Sequence, residues 1–105
     1  MIKKVKVGGI YYGVEMVEDL QGKDGCWGET EYKHPTIKLD DRLNKERLHQ
    51  TFIHELVHAI FFESGAEQDE HSVDIVSKVL YQVLVDNDLS FITGQETETL
   101  VYYES

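Results

Sequence analysis

Apolar positions change period along this chain. In residues 2–7, Ile2, Val5 and Val7 are set among Lys3, Lys4 and Lys6, the alternation of a half-buried strand. Gly8-Gly9 is a two-residue hairpin signal, and residues 10–17 are again rich in Tyr, Val and Ile. A β-hairpin is therefore expected, with Gly13 marking a bulge or bend in its second strand. Residues 19–25 carry Gly22, Asp24 and Gly25 and read as a loop. A third strand is expected over residues 26–32 and a fourth over 36–39, with Ile37 and Leu39 on one face. Lys33-His34-Pro35 makes the turn between them, and places the chain's one proline outside the elements it would break.

From Asn44 onward the period is helical. Leu48, Phe52, Leu56 and Ala59 recur at steps of three and four, and Ile53, Val57, Ile60 and Phe61 widen the apolar surface. A helix apolar on most sides is a buried one. Asn44 suits its N-cap, Glu46 its first turn, and Gly65 the position just past its end. A short turn over residues 66–69 leads to a second helix, from about residue 69 to about residue 86. Asp69 can cap it, and Val73, Val76, Val79 or Leu80, and Val83 form its core stripe. Residues 89–92 read as a last apolar clip, and residues 94–105 as a tail or a final strand. Strands followed by helices imply an α+β fold, with a small antiparallel sheet packed against two helices.

The length of 105 residues implies one domain. Net charge is −10 with only ten Lys and Arg, which argues against direct contact with nucleic acid or an anionic membrane surface. The acidity more simply supports solubility. Cys26 is the single cysteine, so no intramolecular disulfide forms, as suits a reducing cytosol; it reads as an inert thiol. No apolar leader opens the chain and no apolar run reaches about 18 residues. A cytoplasmic protein is expected.

The candidate chemistry lies in the first long helix. His54-Glu55-Leu56-Val57-His58 reads H-E-x-x-H, a pattern whose chance occurrence at this length and composition is roughly 3%. Four helical residues advance about 6 Å and about 400°, so the two imidazoles lie one above the other. They can share one Zn²⁺ at about 2.0–2.1 Å. Glu55 lies about 100° around the helix, placed to act on a metal-bound water without ligating, as in metal-assisted hydrolysis. A catalytic zinc site commonly has a third protein ligand. The start of the second helix offers Glu67, Glu70, His71 and Asp74. Glu70 is assigned as the third ligand, with His71 or Glu67 as substitutes. Asp74, one turn later, is assigned to orient a ligating histidine.

His54-Glu55-Leu56-Val57-His58 followed by Glu70-x-x-Val73-Asp74 resembles the glutamate-ligand branch of the zincin metallopeptidases. More closely, the chain resembles the small ImmA/IrrE-type metallo-endopeptidases of phages and mobile elements. That likeness runs through Trp27-Gly28, Thr36-Ile37-Lys38-Leu39-Asp40, the motif helix and Leu80-Tyr81-Gln82-Val83-Leu84. It implies a minimal zincin-like fold and a zinc-dependent endopeptidase acting on a protein or peptide, which in some members is a repressor. It places the protein in the bacterial host's cytoplasm if phage-encoded. It also implies that an edge strand, residues 36–39 or 26–32, receives the substrate as an added strand.

In such a reaction Glu55 accepts the water proton and returns it to the leaving amine. Tyr32, His34 and His71 are candidates to stabilise the oxyanion. His49 is expected at the surface, Tyr81 in the core, and Trp27 in a packing role. The alternative from another class is a non-catalytic zinc-binding domain that serves as a protein-binding module.

Overall fold

The computed structural model describes residues 4–94. The hairpin forms as its turn chemistry requires. Strands β1 (Lys4–Val7) and β2 (Ile10–Val17) pair antiparallel through Gly8-Gly9, with Val7 opposite Ile10. Both glycines have positive φ, 58° and 89°, as the tight hairpin turn demands. Gly13 carries no bulge: it pairs with Lys4 on one side and Thr36 on the other. Its missing side chain leaves the outer face of the sheet open there.

Residues 19–25 are not wholly irregular. Leu20–Asp24 forms a short helix, α1. Asp19 caps it from the left-handed region (φ 52°), its carboxylate accepting from Gly22 N–H, and Gly25 closes it at φ 76°. Leu20, 1% exposed, is the apolar anchor that turns a loop-like composition into an ordered one. Asp40 fastens the same segment, since its carboxylate accepts backbone N–H groups from Gln21 and Arg42, each at 2.9 Å. Those bonds hold its carboxyl below the usual carboxylate range.

Strands β3 (Gly28–Glu31) and β4 (Thr36–Asp40) complete a four-stranded sheet in the order β1-β2-β4-β3. The sheet is mixed, which corrects the antiparallel expectation: β4 runs parallel to β2 and antiparallel to β3. The segment after β2 carries the chain past its neighbour to the edge. The turn after β3 then returns β4 into the gap. The most buried strand thus takes a central, doubly paired place, with Ile37 and Leu39 at 0% and 1% exposure. Parallel pairing and burial go together in this way. β3, not β4, is therefore the free edge beside the long helix.

That helix, α2 (Lys45–Ser64), lies between the sheet and α3 (Glu70–Asp86). Ala59, with Leu48, Phe52 and Leu56, packs on Val7, Tyr12, Ile37 and Leu39. Ile53 and Val57 turn to Val73, Leu80 and Tyr81 of α3. This two-sided burial explains the broad apolar pattern. Asn44 caps α2 by accepting from Arg47 N–H, and Gly65 ends it at φ 75°, with Ala66 N–H reaching back to the Phe61 carbonyl. Asp69 caps α3 through the Ser72 N–H. Val73 is the buried centre of α3, while Val76 and Val79 are 42% and 57% exposed and face away from the core. A 3₁₀ turn (Ser90–Thr93) follows, with Phe91 half-buried and Ile92 exposed. Among the described residues no helix is long and apolar enough to cross a membrane. Of the tail-or-strand expectation for residues 94–105, residues 95–105 lie outside the described residues.

Candidate metal centre

α2 presents His54 and His58 on the face that looks towards the start of α3. Their rings stand edge to face, with centroids 5.1 Å apart. The Schellman-type ending at Gly65 and the Asp69 cap return the chain within five residues, which brings Glu70, the first residue of α3, over both rings. One Glu70 oxygen is 3.0 Å from His54 Nε2 and the other 3.2 Å from His58 Nε2. Donor atoms of the three residues all lie within 4.8 Å of one another.

The other ring nitrogens define the tautomers. His58 Nδ1 is 2.8 Å from Gln68 Oε1, an acceptor only, so Nδ1 carries the proton. Ser77 Oγ donates to the Asp74 carbonyl at 2.9 Å and lies 3.3 Å from His54 Nδ1. Having spent its proton, that hydroxyl accepts from Nδ1–H. Both Nε2 atoms then face the Glu70 carboxylate, an arrangement satisfied by a proton on either Nε2 or by a cation among the donors. The His54–Glu70 and His58–Glu70 separations, 3.0 and 3.2 Å, are close to the roughly 3.3 Å between neighbouring donors of a tetrahedral zinc site with bonds of about 2.0–2.1 Å. His54, His58 and Glu70 could therefore hold such an ion, and a borderline-soft divalent metal such as zinc suits two imidazoles and a carboxylate.

Glu55 points from the same helix towards β3. It is 8% exposed, and Thr30 Oγ1 donates to its carboxylate at 2.8 Å while lying 3.1 Å from its own carbonyl oxygen. Gly28 makes this approach possible. A Cβ there would sit 2.7 Å from Thr51 Cγ2 and 3.1 Å from Glu55 Cγ, so any side chain would push β3 off the helix.

Two clefts meet at these residues and share Gly28, His54 and Glu55. The smaller, about 340 Å³, also contains Glu29, Tyr32, His58, Gln68 and Glu70. The larger, about 640 Å³, runs between the N-terminal half of α2 and the body of α3, past Trp27, Arg47, Lys78 and Tyr81.

Several sequence expectations change here. Asp74 is not the hydrogen-bond partner of His54: its Oδ1 is 3.8 Å from Nδ1, and its other oxygen pairs with Lys78 at 3.0 Å. That pair holds the Asp74 carboxyl below its usual range, and Ser77 takes the orienting place. Of the proposed oxyanion donors, only Tyr32 lines either cleft. Its hydroxyl donates to Gln68 Oε1 at 2.9 Å, its ring stacks on Phe62, and burial raises its pKa. His34 lies exposed in the β3–β4 turn, and His71 is exposed on α3 outside the donor group. Glu67 is also outside that group. Trp27 is not a packed core residue: it is 40% exposed, against Arg47. Tyr81 is half-buried against the α2–α3 core and lines the larger cleft as well. His49 is exposed, and burial raises the pKa of Cys26, as suits an unreactive thiol.

The residues missed from sequence were Gln68, Ser77 and Thr30. Gln68 and Ser77 carry only a weak signal, a polar residue ten positions after His58 and another one turn after the Val73 core position. Compared with known proteins, the chain matches no family model, no curated protein and no solved structure.

Proposed function

We propose that the protein is a zinc-dependent peptidase that hydrolyses peptide bonds, with His54, His58 and Glu70 as metal ligands and Glu55 as general base and acid. The observation that carries this reading is the convergence of three donors at 3.0 and 3.2 Å beside a glutamate held by Thr30. When bound, the metal supplies Lewis acidity towards a carbonyl and lowers the pKa of coordinated water. The chain supplies everything else. Gln68 and Ser77 hold the two imidazoles in the Nδ1–H tautomer. Glu55, on the wall shared by both clefts, takes a proton from the attacking water and passes it to the leaving amine. Thr30 fixes the rotamer of that carboxylate. Tyr32 is the hydroxyl donor best placed to turn towards an oxyanion, by leaving Gln68. The edge of β3 that no other described strand pairs offers backbone groups to an extended peptide. The substrate is a protein or peptide segment, and a repressor is one member of that class.

The near-complete burial of Glu55 and its bond to Thr30 also favour a second reading, a zinc-binding module that binds a partner without hydrolysis. Glu55→Gln separates the two. In the peptidase it retains zinc at wild-type stoichiometry and loses at least about 100-fold in hydrolysis, read by mass spectrometry of a peptide library incubated with the zinc-loaded protein. Cleavage surviving in Glu55→Gln, or none by the wild type, sinks the peptidase reading.

A further inference from the structure

The larger cleft differs from the smaller in charge and in shape. The smaller is lined by Glu29, Glu55 and Glu70, with no Lys or Arg on its walls. The larger has Arg47 and Lys78 on its walls, two of only ten Lys and Arg in a chain of net charge −10. Lys78 is neutralised by Asp74 at 3.0 Å. Arg47 is not: none of the ion pairs among the described residues involves it. Its guanidinium instead lies 5.0 Å from the centroid of the Trp27 ring. That contact fixes the planar group at modest cost in freedom and leaves its edge N–H donors available. Trp27, 40% exposed, and the half-buried Tyr81 supply apolar surface in the same cleft. An exposed indole with a guanidinium held on it, in no ion pair among the described residues, suits a ligand that brings an apolar group and a carboxylate together.

We infer that the larger cleft is a specificity site for a peptide in which an apolar side chain neighbours a carboxylate, with Arg47 receiving the carboxylate and Trp27 and Tyr81 the apolar group. This rests on the peptidase reading for its reaction, but the recognition itself is a property of the cleft. The carboxylate belongs either to an Asp or Glu side chain or to a free peptide C-terminus, since the guanidinium offers the same bidentate edge to each. Arg47 acts here in binding only. It is exposed, in the first turn of α2, and contributes to the helix cap through its backbone N–H rather than its side chain, so replacing the side chain leaves the fold and the metal donors in place.

The test uses the whole chain and fluorescein-labelled alanine-based nonapeptides as probes. Three carry Leu-Glu, Leu-Gln or Leu-Lys at the centre and end in an amide. Two more end in Leu, one as free acid and one as amide. Anisotropy titrations are run on zinc-supplemented and on chelator-treated protein, and cleavage is followed separately in the zinc samples. The Leu-Glu probe is expected to bind about fivefold more tightly than Leu-Gln, the range of a partly exposed charge pair, and Leu-Lys more weakly than either. Arg47→Gln should remove the preference and Arg47→Glu should reverse it. A free-acid advantage without a Leu-Glu advantage assigns the site to a peptide C-terminus; the opposite result assigns it to an acidic side chain. Equal binding of every carboxylate probe and its neutral counterpart, a preference that survives Arg47→Glu, or no binding of any probe overturns the inference. Cleavage with no such preference overturns it while leaving the peptidase reading intact. An Arg47-dependent preference without cleavage supports it and counts against the peptidase reading.

Discussion

Gln68 Oε1 lies 2.8 Å from His58 Nδ1 and 2.9 Å from the Tyr32 hydroxyl, and accepts from both. One amide carbonyl in the α2–α3 turn thus sets the tautomer of a candidate metal ligand and parks the nearest phenol. Removing it in Gln68→Ala frees the His58 ring and should weaken zinc binding about tenfold, the low end for loss of a ligand-orienting partner. Gln68→Glu keeps an acceptor at the same place and should retain or raise affinity. Competition against a chromophoric chelator reads both. Equal affinity in wild type and Gln68→Ala would show that His58 is oriented by something else.

The third donor is the most decisive test of the centre. Glu70 supplies both carboxylate oxygens to the two histidines, whereas His71 stands outside the donor group. Glu70→Ala should lose zinc after dialysis against a weak chelator, and His71→Ala should keep it, as measured by atomic emission. Zinc retained at full occupancy in Glu70→Ala would remove Glu70 from the ligand set. Because a ligand that binds only the folded state stabilises it, by about 2.7 kcal/mol at 100 times Kd, stripping the metal should lower the wild-type Tm. The same treatment should leave that of Glu70→Ala nearly unchanged.

Much of this arrangement follows from local chemistry, and for that reason was legible. Asn44, Gly65 and Asp69 are caps whose side chains or positive φ act on their nearest neighbours in the chain. With both helix ends and a five-residue turn given, the approach of Glu70 to His54 and His58 is nearly forced. The insertion of β4 between β2 and β3 is not local: nothing in Thr36-Ile37-Lys38-Leu39-Asp40 distinguishes a central strand from an edge strand except how apolar its neighbours leave it. Ser77 and Thr30 escaped for a related reason. Each is one hydroxyl whose partner lies more than twenty positions away, and a lone Ser or Thr carries no periodicity. Asp74 misled because i,i+4 spacing from Glu70 is also the spacing of an ordinary surface pair, and its carboxylate is taken by Lys78.

Gly28 is where the sheet touches the face of α2 that carries Thr51 and Glu55. Because a Cβ there would meet Thr51 Cγ2 at 2.7 Å and Glu55 Cγ at 3.1 Å, Gly28→Ala should destabilise the fold by about 1–3 kcal/mol, the usual cost of overpacking. It should also lengthen the Thr30–Glu55 bond, because the two residues are held by the same contact between β3 and α2. Urea denaturation gives the first effect. A double-mutant cycle with Thr30→Val gives the second: if the two changes are additive within about 0.5 kcal/mol, the glycine does not set the Thr30–Glu55 contact.

At the opposite end of α2, Tyr12 joins the sheet to the helix. Its ring is fully buried, and its hydroxyl donates to Glu63 Oε2 at 2.7 Å. Burial, with the Glu63 carboxylate beside it, raises the phenol well above its ordinary value. The unfolded chain releases this proton near pH 10, while the folded protein keeps it. The unfolded state therefore binds fewer protons above that pH, and stability must fall as pH rises from about 10 towards the folded pKa, with a limiting slope of about 1.4 kcal/mol per pH unit. At neutral pH both states are protonated and the group contributes only its hydrogen bond. Tyr12→Phe should then cost about 1–2 kcal/mol at pH 7, and the difference between variant and wild type should shrink as the solution is taken above pH 10. Urea midpoints at pH 7, 9, 10 and 11 measure this directly. Because the other tyrosines titrate in both proteins, the difference between the two curves isolates Tyr12. Parallel curves across that range would mean that the folded protein does not hold the Tyr12 proton against Glu63.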